Sequence, residues 1–230
     1  MSAPKLDPKR AALVVIDIQE AFRKAIPEFG DVARASGVLI EGAKVVGIPI
    51  VVTEQYPKGL GHTAPEVAEH LPEGVEPIEK MCFSAPEAEG FALAGRDQAL
   101  VCGIETHVCV NQSVLDMLDE GVEVHVARDA VGSRSEENWE LGLHKVEQAG
   151  AVLTSVETAL FELVRQSGTD EFKRVQKLIL EFAPNPALVL CPKPSLLSPV
   201  TCSSRTGRGS TASCAGMPPP SPARSCSTPP

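Results

Sequence analysis

Ala11-Ala-Leu-Val-Val-Ile-Asp17 decides the fold class: six apolar residues in a row, stopped by an acid. A strand with one face in water alternates apolar and polar residues, whereas a continuous run marks a strand buried on both faces, as in parallel sheets. Similar stretches recur at Ile48-Pro-Ile-Val-Val52, Ala99-Leu-Val-Cys102 and Val122-Glu-Val-His-Val126, with a shorter one at Ala151-Val-Leu153. Between them apolar residues step by three or four, the spacing that lines one face of a helix. Val32, Ala35, Leu39, Ala43 and Val46 form one such series, Val110, Val114, Met117 and Leu118 a second, Trp139, Leu143 and Val146 a third. Thr154-Ser-Val-Glu157 reads as a capping box before a helix carrying Leu160, Leu163 and Val164. Phe172, Val175, Ile179 and Phe182 predict a last amphipathic helix, whose apolar face could meet its own domain or a partner. Alternating β and α units with buried strands predict an α/β protein of three α/β/α layers, Rossmann-like, around a mainly parallel sheet.

Composition divides the chain. Of its 230 residues, 43% are apolar, enough for a real core. All 30 acidic residues precede residue 184, so residues 1–183 carry a net −13 and residues 184–230 carry +4. The last 47 residues hold 11 of the 20 prolines, four of the seven cysteines and 13 Ser or Thr. Such a segment buries too little apolar area to offset its ordering entropy. A folded domain over 1–187 and a disordered Pro/Ser/Cys-rich tail over 188–230 are therefore expected. No apolar stretch near the start approaches the roughly 20 residues of a membrane span, and Met1–Arg10 lacks a signal-peptide core. The expected protein is soluble and cytoplasmic, with no membrane partner. A body at −13 with no basic patch repels phosphate backbones, which argues against nucleic acid. Three body cysteines, 82, 102 and 109, suggest free thiols rather than a disulfide framework.

Ligands of open parallel sheets bind outside the carboxyl ends of the strands. The first strand ends in Asp17, and the second runs into Thr53-Glu-Gln-Tyr-Pro57. Pro77-Ile-Glu79 leads to Lys80, and the fourth strand ends in Gly103-Ile-Glu-Thr-His-Val-Cys109 where a helix begins. An acid, a lysine and a cysteine thus reach one rim. With Thr106 as cap, Cys109 falls in the first helical turn, where unpaired N–H groups and the macrodipole lower a thiol pKa. A thiolate attacks carbonyl carbon; a cysteine there could equally be a small buried hydrophobe. Asp17 could exchange a proton with the thiol or simply cap the following turn. Lys80 gains meaning only beside those two, as a cation favouring their anions. Cys102, inside an apolar strand, reads as packing.

These segments resemble the isochorismatase-like cysteine hydrolases, and within them the isochorismatase domain-containing proteins of types 1 and 2. The resemblance rests on Val15-Ile-Asp-Ile-Gln-Glu-Ala-Phe22, Val52-Thr-Glu-Gln-Tyr-Pro-Lys-Gly-Leu-Gly61, Lys80-Met-Cys-Phe-Ser84, Cys102-Gly-Ile-Glu-Thr-His-Val-Cys109, Ser133-Arg-Ser135 and Phe172-Lys-Arg-Val-Gln-Lys-Leu-Ile179. It spans about residues 10–187 in consistent order and excludes the tail. It implies a catalytic triad of Asp17 as proton shuttle, Lys80 holding the charge pattern and Cys109 as nucleophile. It also implies a cis peptide at Ile104–Glu105, an oxyanion hole from the backbone amides of Glu105 and Cys109, and a pocket lined by Gln19, Phe22 and Tyr56. The metal-binding Asp-x-His of the nicotinamidase branch is missing after strand two, and His62 alone is a poor ligand, so neither metal nor cofactor is expected. The implied activity is hydrolysis of a small-molecule amide or related C–N bond through an acyl-enzyme, in a homo-oligomer. Two rivals stand beside it: a non-catalytic scaffold retaining the fold and triad, and a redox thiol pair of Cys82 and Cys109.

Overall fold

A computed structural model describes residues 4–182 of the chain. The predicted tail at 188–230 lies outside the described residues. Six strands form the sheet: β1 (Ala11–Ile16), β2 (Ile50–Gln55), β3 (Ile78–Lys80), β4 (Gln98–Ile104), β5 (Glu123–Gly132) and β6 (Val152–Thr154). Five longer helices surround it, α1 (Phe29–Val46), α4 (Asn111–Asp119), α5 (Glu136–Ala149), α6 (Val156–Val164) and α7 (Asp170–Phe182), with two single turns, α2 (Pro57–Leu60) and α3 (Pro65–Ala68). Every strand pair is parallel, in the order β3-β2-β1-β4-β5-β6. The three-layer α/β/α expectation holds.

The continuous apolar run of β1 now has its reason. Leu13 and Val15 point into a core shared with Leu39 and Ile40 of α1, Leu160 of α6 and Val175 and Ile179 of α7. Val14 and Ile16 point the other way, into a second core with Val114 and Met117 of α4 and Leu143 and Val146 of α5. Both faces of the strand are covered, so both must be apolar. The α7 face that could have met a partner instead packs on its own domain through Val175 and Ile179.

Two boundaries differ from the sequence reading. The helix after β6 is capped by Ser155, whose hydroxyl accepts from Thr158 N–H, and not by Thr154. Thr154 is held in the sheet by pairing with Ala127, and the Asp129 carboxylate from β5 accepts the Val156 N–H instead. β5 also runs on to Gly132, beyond the predicted Val126. Its register against β4 shifts between Val101, which pairs with Val126, and Gly103, which pairs with Val131, so pairing resumes further along the longer strand.

The chain leaves β1 outward through β2 and β3, then returns to add β4 on the other side of β1. Strand order reverses there, and the crevice at such a switch point is where open α/β sheets bind ligands. Gly103 brings the two strands together: its φ is +134°, and a Cβ there would lie 2.1 Å from the Ile16 carbonyl oxygen.

Candidate active site

Asp17 follows β1 with φ +53°, a left-handed conformation that Asp tolerates better than most residues. Such backbone is sustained only where its surroundings hold it, and it clusters at functional sites. The carboxylate is buried, with one oxygen, Oδ1, accepting from the Thr53 hydroxyl at 2.8 Å. The other, Oδ2, pairs with Lys80 Nζ at 2.7 Å. Lys80, at the end of β3 and also buried, donates to Gln55 Oε1 at 2.7 Å and to the Phe83 carbonyl at 3.0 Å. Two charges removed from water are thus paired and hydrogen-bonded, the condition on which burial of charge is tolerated.

Cys109 lies near enough for both the Asp17 and Lys80 charges to act on its thiol. It sits on a π-helical turn, Thr106–Val110, that leads into α4. Glu105, not Thr106, is the flanking residue, and its carbonyl accepts from Val108 N–H and Val110 N–H. The Ile104–Glu105 peptide is cis. The lowered thiol pKa expected from the helix start is not what the surroundings produce. Burial pushes the Cys109 thiol up to about 12, the Asp17 charge adds to that, and Lys80 opposes it without prevailing. The resting group is a neutral thiol, and a thiolate has to be made by passing its proton to a base. Cys109 also packs in the α4–α5 core, as the packing reading of this residue expects.

Three further contacts fix the turn. Ser113 donates to the Cys109 carbonyl at 2.7 Å and accepts from Ala85 N–H at 2.8 Å, joining the Cys109 turn to the loop after Lys80. Arg134 Nε meets Glu105 Oε1 at 2.8 Å, and His107 Nδ1 lies 3.1 Å from Ser133 Oγ. Ser133 and Arg134 lie in a motif to which the sequence attaches no role, Thr53 and Gln55 stand in the segment that ends the second strand with none assigned to either, and no local signal marks Ser113. A polar residue at the end of an otherwise buried strand is the available signal for Thr53 and Gln55.

The expected pocket residues disperse. Gln19 is fully buried, its amide donating to the Gln55 and Gly61 carbonyls and accepting from Gln55 N–H. It stitches the ends of β1 and β2 together and presents no spare polar group to a ligand. Phe22 is half-buried and packs on the α1 core. Tyr56 is 46% exposed and, with Pro57, Lys58, Glu79, Lys80 and Met81, borders a cavity of about 290 Å³ beside the lysine. His62 is exposed and meets the Glu54 carboxylate at 3.0 Å. Burial works against the Glu54 charge, but the Thr63 hydroxyl and amide, with His62, prevail and hold its carboxyl below the usual range. Cys82, Cys102 and Cys109 are free thiols. Among the described residues, no three His, Cys, Asp or Glu side chains gather as a metal site, and no helix is long and apolar enough to cross a membrane.

Comparison with known proteins agrees with this architecture. Residues 11–158 match the family described as the isochorismatase domain. The chain is 41% identical to the secreted isochorismatase effector Isc1 of Phytophthora sojae over 184 residues, covering 77% of this chain and 88% of that protein. It is 37% identical to isochorismatase domain-containing protein 2A of Mus musculus over 191 residues, covering 82% and 91%. Among solved structures, the MAR1 ribonuclease from Caenorhabditis elegans is 41% identical with a TM-score of 0.74, covering 83% of this chain and all of that one. A parallel sheet whose strand order reverses between β1 and β4, and a family match across that whole sheet, lead to one assignment: the chain belongs to the isochorismatase family.

Proposed function

We propose that this protein is a cofactor-independent cysteine hydrolase acting on a small amide or a related C–N bond, with Asp17, Lys80 and Cys109 as its triad. The observation that carries the reading is a buried carboxylate–ammonium pair at 2.7 Å whose two charges both act on one thiol. Asp17 takes the Cys109 proton as the sulfur forms a bond to the carbonyl carbon, and Lys80 offsets the negative charge that develops on sulfur. The carbonyl oxygen becomes an oxyanion, met by the backbone amides of Glu105 and Cys109. Asp17 then passes the proton to the leaving nitrogen, and the C–N bond breaks to leave a thioester. Water attacks that thioester, giving a proton to Asp17; the C–S bond breaks, the acid departs, and the proton returns to Cys109. A neutral resting thiol suits this cycle, because its proton is the one the leaving amine needs.

Self-association and a cytoplasmic site of action belong to the same reading. Three free cysteines in the domain fit a reducing compartment, although the Phytophthora sojae relative is named as secreted. The test is covalent labelling with iodoacetamide followed by intact mass and peptide mapping. Cys109 is expected to take up an adduct, and Cys109→Ala to lose that adduct while keeping its circular dichroism spectrum. Equal labelling of wild type and variant at stoichiometric reagent would overturn the proposal and favour a scaffold that merely keeps the fold.

A second reading, cleavage of RNA, follows from the name of the Caenorhabditis elegans structure.

A further inference from the structure

Polar residues on a doubly buried strand are costly unless each finds a partner, and β2 ends with three of them, of which Glu54 is met by Thr63 and His62. Thr53 and Gln55 are two residues apart and so share one face of the strand. Both are buried. Parallel register sets Thr53 beside Ile16, with Asp17 N–H donating to its carbonyl at 3.1 Å, and sets Gln55 beside Lys80. Each side chain then meets a different member of the proposed triad. The Thr53 hydroxyl donates to Asp17 Oδ1 at 2.8 Å. Gln55 Oε1 accepts from Lys80 Nζ at 2.7 Å, while its Nε2 is anchored on the Met81 carbonyl at 3.0 Å. Thr53 thus holds one carboxylate oxygen while the other pairs with Lys80.

We infer that Thr53 and Gln55 are positioning residues, through which one face of β2 sets the acid and the ammonium at the spacing that Cys109 requires. This rests on the triad reading. Neither residue touches the reacting atoms; they act through Asp17 and Lys80.

The experiment measures the second-order rate constant of Cys109 alkylation by iodoacetamide in the full chain. Thr53→Val keeps the shape and removes the hydroxyl; Thr53→Ser keeps the hydroxyl and removes the methyl. Positioning predicts that Thr53→Val slows alkylation about 10-fold, the scale of a hydrogen bond to a charged group, and that Thr53→Ser stays within about 2-fold of wild type. A packing role predicts the reverse ranking, and that ranking, or a Thr53→Val rate equal to wild type, overturns the inference. In an Asp17→Ala background, Thr53→Val is expected to add nothing further, since residues acting as a unit are not additive. Should Thr53→Val fail to fold, Gln55→Met carries the same test through Lys80, with about 10-fold slower alkylation expected and an unchanged rate overturning the claim. The two levels separate cleanly. If Asp17→Ala alkylates with the same rate and the same pH profile as wild type, the triad reading falls and the positioning claim with it; if Asp17→Ala changes the profile and neither β2 variant does, only the positioning claim falls.

Discussion

Cys102 and Cys109 carry the same chemical group into different company. Cys102, inside β4, has its thiol pushed up to about 12 by burial alone, with a contact from Ser36 opposing. Cys109 reaches about 12 by burial and the Asp17 charge together, against Lys80. In both cases the folded chain holds a proton that the unfolded chain releases near 9. Folded stability from this source is therefore complete below about pH 9 and is lost as pH rises toward 12. Urea denaturation of wild type and Cys102→Ala at about pH 8 and about pH 11 checks the sign, with any wild-type advantage shrinking by about 2 kcal/mol at the higher pH. A pH-independent difference would contradict it. The positions of Asp17, Lys80 and Cys109 could be read from the sequence because each closes a recognisable strand or opens a helix. The state of the thiol could not. It depends on which charges arrive from other strands and how much water is excluded, and neither is encoded within a few residues of Cys109.

At the scale of elements, the turn Thr106–Val110 is set by what packs on it. Apolar spacing from Val110 onward reads as ordinary helix, yet Glu105 bonds Val110 five residues on, giving a π turn. Such turns are frequent at functional sites. Helix α5 supplies part of the reason: a Cβ at Gly142 would come within 2.9 Å of the Thr106 backbone, so only glycine lets the helix approach so closely. Gly142→Ala is accordingly expected to displace the turn, slowing Cys109 alkylation by roughly 10- to 100-fold, at a stability cost of about 1–3 kcal/mol. Gly30→Ala, where a Cβ meets nothing within 4 Å, is the control and should label as wild type does. If the two variants label alike, the packing of α5 does not govern the turn. The N-cap lies at Ser155 and not at Thr154 for a like reason: sheet pairing outweighs a local motif.

For the whole molecule, charge is the deciding quantity between amide and RNA as substrates. With −13 over residues 1–183, the domain repels a phosphate backbone, and affinity for nucleic acid comes mostly from cations that neutralise phosphates. A fluorescent RNA oligomer is expected to show neither binding nor cleavage at about 0.15 M salt. Cleavage that Asp17→Asn abolishes would instead favour the reading taken from the Caenorhabditis elegans structure. The sequence by itself determined the layers and the strands: runs apolar on both sides of the pleat have to lie between two sheets of helices, whatever else surrounds them. It also determined which charged residues stand at strand ends. Only the tertiary structure decided that β4 joins β1 opposite β2, that Lys80 reaches back across β2 to Asp17, and that Thr53 and Gln55 hold them there. Strand order and register depend on contacts between residues far apart in the chain, and local apolar periodicity carries no record of them.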